Sequence, residues 1–489
     1  MNDNTTLDPS LNVCPDEVNH IHLIGICGTG MAALAGMLHT RGYTVTGSDQ
    51  NVYPPMSDFL ASLKIPVCEG FHADNLSPAP DLVIVGNVVR AVNPEAVALG
   101  ELKIPYLSMP QAVAQFFLTG RKSMVVAGTH GKTTTSSLLA TTLHRLGDTP
   151  GFLIGGLVEA FQSNFNVSES EYFVIEGDEY DTAFFNKVSK FHHYMPRYVL
   201  LTSVEFDHAD IFPDLQAIVD SFARFIQQIP SDGALVACID DPVIRDLIRD
   251  APCPVISYGQ RPEATWRIEN IQIKGHNTQV RVTYRQEQDH SFSLPMPGAH
   301  NAANATGVMA LLSHLGWSPE SVGKALSTFE GVKRRQQIRG KVSGVTVIDD
   351  FAHHPTAVRE TVKALRQAWS ENRLLIVFEP RTNTSRRKVF QQDYMSAFQG
   401  ADYVLVREHV PLADIPESEQ FSSRKLVEDM QRQGQDAMYF PDTEAILAAL
   451  HEISRSGDVI VILSNGGFDN IHERLLTQLG SISEHIDKR

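Results

Sequence analysis

Residues 125–136, VVAGTHGKTTTS, restrict the fold of this chain more than any other segment. An apolar run that must be buried leads into two closely spaced glycines, and a helix-compatible stretch follows, so a strand, a tight loop and a helix are expected in that order. Gly128 and Gly131 let the backbone bend around Thr129 and His130, turning successive N–H groups toward one oxyanion. Lys132 brings a mobile positive charge for outer phosphates, and Thr133 offers a hydroxyl to a phosphate-bound Mg²⁺. The position five before Gly131 is Val126, so the motif is a shortened G-T-H-G-K-T version of the common phosphate loop. A glycine-lysine-threonine triplet also arises in ordinary surface turns, but the apolar strand before it and the helix after it favour an ATP site.

Composition sets the bounds of that reading. At 489 residues the chain is long enough for about three domains with their own cores. A formal net charge of -16 argues against nucleic acid or an anionic membrane as the main partner, while leaving room for local basic pockets. Cys14, Cys27, Cys68, Cys238 and Cys253 are scattered without zinc spacing, which fits core thiols in a reducing, cytoplasmic compartment. No apolar run has the length of a membrane span, and residues 1–19 are polar and expected to be a flexible extension. Oligomeric state is not legible.

Alternating apolar runs and helical patterns give an α/β chain of three domains in series. Residues 20–122 read as a Rossmann-like domain, 123–338 as a central P-loop ATPase domain, and 339–489 as a second Rossmann-like domain. In the first, IHLIGICGTG is a strand entering a glycine turn, followed by a helix ended by Gly42 and strands at YTVTGSD and DLVIVGN. In the second, strands are expected at 172–178, 198–207 and 234–241, then an antiparallel stretch and a helix over 299–315. The third alternates VTVIDDF, a helix after Pro355, LLIVFEP, a helix, DYVLVRE, a helix and DVIVILSNGGF.

The turn Gly25-Ile26-Cys27-Gly28-Thr29-Gly30 has G-x-x-G-x-G spacing, which suits a diphosphate at a helix N-terminus, with Asp49 at a suitable distance for a ribose hydroxyl. A nucleotide sugar carries that diphosphate as well as NAD does. Two segments offer metal ligands: Glu176 ends an apolar strand in FVIEGDEYD, and His208 follows another in VEFDHADIF. Carboxylate oxygen suits Mg²⁺, and imidazole would also admit Mn²⁺.

The order GTHGKTTT, E-x-D-E-x-D, EFDH, PGAHNAANA, GVKRRQ and DDFAHHPTA resembles the Mur ligase family of peptidoglycan synthesis, from about residue 20 onward. GSDQNVYPPMS, SKFHHYMPRYVLL, EPRTNT and SNGGF are similar to the recycling branch, which joins the tripeptide L-alanyl-γ-D-glutamyl-meso-diaminopimelate to UDP-N-acetylmuramate. The resemblance implies an ATP-dependent amide ligase working through an acyl phosphate. Gly28, Thr29, Gly30 and Met31 would lie at the pyrophosphate of UDP-N-acetylmuramate, with Asp49 and Asn87 near its nucleotide or sugar. Gly128 to Thr134 would hold ATP, and Thr133, Glu176 and His208 the Mg²⁺. Asn301 and Asn304 match adenine-contacting asparagines, Arg335 and Asp350 match positions that reach the nucleotide, and His353 and Arg381 would orient the reacting carboxylate and the incoming peptide.

One departure concerns the helix expected over 214–228, which has no lysine where several Mur ligases carry a carbamylated one, so other carboxylates or water must serve there. The rival within the family adds L-alanine in place of the tripeptide. Outside it, an NAD-dependent oxidoreductase is weakened by the glycine spacing, and a non-catalytic nucleotide-sugar sensor by the presence of Lys132, Glu176 and His208 together.

Overall fold

The computed structural model describes residues 7–413 and 415–486. The chain forms two compact units, residues 1–204 with 218–257, and residues 205–217 with 258–489, so the expected central domain contributes to both.

In the first unit, β1 (His20–Ile24), α1 (Thr29–Thr40), β2 (Thr44–Asp49), β3 (Val67–Glu69), β4 (Leu82–Val85), α2 (Pro94–Leu102) and β5 (Tyr106–Ser108) build a parallel sheet of order β3-β2-β1-β4-β5. That order reverses between β1 and β4, and the glycine turn leaves the carboxyl end of β1, where doubly wound sheets bind ligands. Residues 7–19 are not the loose extension expected. Leu7 is buried in the apolar cluster of this sheet, the Tyr106 hydroxyl donates to Asp8 O at 3.2 Å, and Asn12 pairs with Gln111 and with Tyr106 O. Polar side chains alone had suggested a tail, but one leucine and one amide suffice to fasten it. Residues 1–6 of that segment lie outside the described residues.

A second sheet in this unit carries the phosphate loop. β6 (Lys122–Ala127) runs into α3 (Lys132–Arg145), followed by β7 (Gly151–Val158), β8 (Ser163–Asn166), β9 (Tyr172–Gly177), the hairpin strands β10 (Asp181–Ala183) and β11 (Asn186–Ser189), β12 (Tyr198–Leu201) and β13 (Ala234–Cys238). Strands β13, β12, β6, β9 and β7 are neighbours in that order and parallel, with β8 antiparallel at β7. Val125 and Val126 are fully buried, flanked in register by Ile175 and Glu176 on one side and Val199 and Leu200 on the other. The strand expected to 207 stops at Leu201, because Thr202 and Ser203 bend away from the sheet to bond the phosphate loop.

The second unit has an antiparallel meander of β14 (Trp266–Lys274), β15 (Asn277–Tyr284) and β16 (Gln288–Leu294), then helix α4 (Ala299–His314). Its larger sheet comprises β17 (Gln337–Val342), β18 (Val345–Asp350), β19 (Leu374–Phe378), β20 (Tyr403–Arg407), β21 (Ala437–Phe440) and β22 (Val459–Leu463), in the order β17-β18-β22-β19-β20-β21, parallel except for β17. Side chains of β19 alternate between two cores. Leu374, Ile376 and Phe378 join Val358, Val362 and Leu365 of α5 (Pro355–Ala368), whereas Leu375 and Val377 join Ile446, Leu450 and Leu475. Each such fully buried side chain contributes about 1.5–3 kcal/mol, which is why both faces of the sheet must be covered. The helix expected after LLIVFEP is only Asp393–Ala397, because residues 379–387 form a long loop, and β21 was not anticipated from its four residues.

Candidate active site

The phosphate loop is shaped by contacts that leave glycine no substitute at two positions. Gly128 has φ +129°, and a Cβ there would lie 2.3 Å from Thr202 Oγ1 and 2.8 Å from Ser203 O. Gly131, with φ +81°, caps α3 in the left-handed region. Between them, Thr129 N donates to Ser203 O at 2.8 Å, His130 N donates to Ser203 Oγ at 3.0 Å, and Thr202 Oγ1 donates to His130 O at 2.6 Å. Thr202 and Ser203 were missed in the sequence. The signal was their place just past the end of a parallel strand, beside the strand that feeds the loop.

Lys132, Thr133 and Glu176 come together at the start of α3. Thr133 Oγ1 donates to Glu176 Oε1 at 2.9 Å, and Glu176 Oε2 accepts Gly155 N at 2.8 Å, so the carboxylate is fixed facing the first turn of α3. A hydroxyl and a carboxylate oxygen side by side are hard donors suited to Mg²⁺. Thr134 is buried in the same turn. The Lys132 ammonium donates to Gly128 O at 2.6 Å and Thr129 O at 3.1 Å, and lies 2.7 Å from Glu179 Oε2. Burial opposes its charge, but Glu179, Asp178 and Glu176 outweigh burial and hold its pKa above the ordinary lysine value.

In the glycine turn, Gly28 caps α1 and, with Thr29, is exposed, Gly30 is half-buried and Met31 is buried beneath. Asp49, at the end of β2, accepts Cys27 N at 2.9 Å and Asn51 N at 3.0 Å. It therefore braces the turn. Asn87 is exposed just beyond β4. Below, Glu95 is fully buried and accepts from Ser48 Oγ and Asn75 Nδ2, with His22 Nε2 at 3.9 Å. Burial raises the Glu95 pKa despite those bonds, and burial, aided by His20, lowers His22 to about 4, so the imidazole is neutral near pH 7.

In the second unit, His208 has φ +55° and its N–H donates to Asp207 Oδ1 at 2.7 Å. Burial works against charge on Asp207, but His208, His354 and His353 outweigh it and hold the carboxyl well below its usual range. His354 caps α5, while His353 is half-buried, with Nδ1 3.1 Å from Phe351 O. Asp350 is buried and accepts Gln336 N and Ala352 N, each at 2.8 Å; burial pushes its pKa up against the pull of Arg335. Arg335 stacks on Phe351 at 4.7 Å. Asn301 is linked to the same group, donating from Nδ2 to Pro297 O at 2.8 Å and to Gln336 Oε1 at 3.5 Å, and Asn304 is buried one turn further along α4. Arg381 is 54% exposed, lies across Gly466, and comes 3.9 Å from Glu379 Oε1. The helix Leu215–Ile226 contains no lysine, as expected.

Residues 20–121 match the catalytic domain of the Mur ligase family, 126–312 the Mur ligase middle domain, and 334–466 the Mur ligase glutamate ligase domain. The chain belongs to the Mur ligase family, and so to the ATP-dependent ligases that form C–N bonds. It is 37% identical over 467 residues to the UDP-N-acetylmuramate–L-alanyl-γ-D-glutamyl-meso-2,6-diaminoheptandioate ligase of Escherichia coli K12, covering 95% of this chain and 99% of that one. The crystal structure of a murein peptide ligase from Psychrobacter arcticus 273-4 is similar, with a TM-score of 0.71 and 34% identity over 94% of this chain and 99% of the other. A UDP-N-acetylmuramate–L-alanine ligase of Syntrophus aciditrophicus is 32% identical over 96% of this chain and 95% of its own length. No helix among the described residues is long and apolar enough to cross a membrane.

Proposed function

We propose that the protein joins L-alanyl-γ-D-glutamyl-meso-diaminopimelate to UDP-N-acetylmuramate at the expense of ATP, recycling murein peptide in the cytoplasm. The carrying observation is the end-to-end identity of 37% to a ligase of that specificity, against 32–34% to L-alanine ligases. Residues 20–122 would hold the nucleotide sugar through Gly28, Thr29, Gly30, Met31, Asp49 and Asn87. Residues 123–338 would hold ATP through the loop at 128–134 with Asn301, Asn304 and Arg335, and 339–489 would bring Asp350, His353 and Arg381.

The muramoyl lactate carboxylate attacks the γ-phosphorus of ATP, giving an acyl phosphate and ADP. The peptide α-amine then attacks the acyl carbon and phosphate leaves. Bringing two unit anions to about 4 Å costs about 4 kcal/mol at an effective dielectric near 20. Lys132 offsets that repulsion as charge develops on the transferring group. Thr133 and Glu176 would hold Mg²⁺, which would add Lewis-acid stabilisation of the phosphate oxygens. With an α-amino pKa near 8, reaching the neutral amine at pH 7 costs only about 1.4 kcal/mol, so orientation by residues such as His353 and Arg381 matters more than a strong base.

The test offers purified protein Mg²⁺, ATP and UDP-N-acetylmuramate with either the tripeptide or L-alanine, and follows ADP release and product mass. Ligation of the tripeptide with little of alanine is expected. The reverse preference would assign the alanine-adding reaction, and ADP release with neither would overturn the proposal.

A further inference from the structure

We propose that Glu179 is a positioning residue for Lys132, an exchangeable counter-ion that holds the ammonium over the phosphate loop and yields it to the phosphate oxygens of a bound nucleotide. The inference rests on reading residues 128–134 as the nucleotide site.

An ammonium has three N–H donors. Around Lys132 Nζ stand three oxygens: Gly128 O at 2.6 Å, Thr129 O at 3.1 Å and Glu179 Oε2 at 2.7 Å. A phosphate oxygen arriving at the loop therefore competes with these oxygens for the ammonium, two of which accept its hydrogen bonds while Glu179 is its ion-pair partner. Two belong to the loop itself and travel with it. The third comes from a separate segment, between β9 and β10, and is the only one that carries a charge like that of phosphate. Exchanging one anion for another keeps the buried lysine compensated throughout, which matters because an unpaired buried charge is costly.

The backbone around Glu179 is braced from the other side. Asp178 Oδ2 lies 2.6 Å from Lys190 Nζ and Asp178 Oδ1 accepts Tyr180 N at 3.1 Å, so alternate residues of the segment face apart and Glu179 turns inward, 2% exposed. A purely structural ion pair and an exchangeable one predict opposite signs. If Glu179 only supports the loop, removing its charge weakens nucleotide binding. If it competes with phosphate, removing its charge strengthens binding and slows nucleotide release.

The experiment compares wild type, E179Q, E179D and K132A by ADP titration calorimetry, ADP dissociation rate, and the KM for ATP against kcat in tripeptide ligation. E179Q is expected to bind ADP about 5-fold more tightly, with a matching fall in the KM for ATP and slower ADP release. E179D, which restores the charge, should return these values toward wild type. Unchanged or weaker ADP binding by E179Q overturns the proposal. Should E179Q fail to fold, wild-type crystals with and without ADP decide: Nζ moved from Glu179 to a phosphate oxygen supports the exchange, and an intact Lys132–Glu179 pair with ADP bound overturns it. K132A separates the two levels. Unaltered nucleotide binding in K132A would remove the reading of the loop itself, and this inference with it. Impaired K132A beside an unaltered E179Q would remove only the role of Glu179.

Discussion

Thr133 Oγ1 and Glu176 Oε1 are 2.9 Å apart, although 43 residues separate them, because β6 and β9 are adjacent parallel strands whose carboxyl ends open on the same side of the sheet. Two hard oxygens are thus poised beside the loop. Glu176→Gln keeps the shape and removes the charge, and it is expected to lower Mg²⁺ affinity about 10- to 100-fold while leaving UDP-N-acetylmuramate binding intact. Mg²⁺ titrations of ATP turnover check this, and an unchanged Mg²⁺ dependence would remove Glu176 from the metal site.

Gly128→Ala tests the loop itself. A Cβ at φ +129° meets Thr202 Oγ1 and the Ser203 backbone, so the loop must shift. A loss of about 1–3 kcal/mol of stability is expected, together with at least a tenfold rise in the KM for ATP. Denaturant unfolding and steady-state kinetics read the two separately; wild-type behaviour in both would contradict the geometry.

The buried His22 gives a pH dependence with a definite sign. Its folded pKa, about 4, lies below the unfolded value of 6.5, so between those two values the unfolded chain binds a proton that the folded chain does not. Stability is therefore fully present above pH 6.5 and falls as pH drops toward 4, by about 3 kcal/mol. Glu95, with a pKa raised above 4.5, acts in the opposite direction, its contribution being lost as pH rises, so a variant of His22 alone is needed. Urea unfolding of wild type and His22→Gln from pH 4 to 7 is expected to show a steeper loss in wild type, and parallel curves would refute the assignment.

Leu7→Ala probes the N-terminal segment. Leu7 is 5% exposed among Leu76, Val85 and Leu99, so truncation should cost about 2–3 kcal/mol, which a tail without contacts could not lose. Thermal and urea unfolding measure it.

Much of this was legible in the chain. The phosphate loop between β6 and α3, the glycine turn after β1 and the strand ending at Glu176 are local features, set by apolar periodicity and by where only glycine can turn. Such patterns are written in consecutive residues, so the α/β class and most candidate side chains could be placed before any fold was known. The long loop at 379–387 and the short β21 were not, since a run of four apolar residues is too short to carry a period.

What only the tertiary structure decided were pairings across parallel strands, whose partners are separated by whole crossovers. Thr202 and Ser203 holding His130, Gly155 fixing Glu176, Glu179 meeting Lys132, and Leu7 entering the first core all depend on which strands lie side by side. The sequence by itself determined which residues could bend, bury or carry charge. Strand order, which arises from packing both faces of each sheet rather than from any local signal, determined which of those residues met.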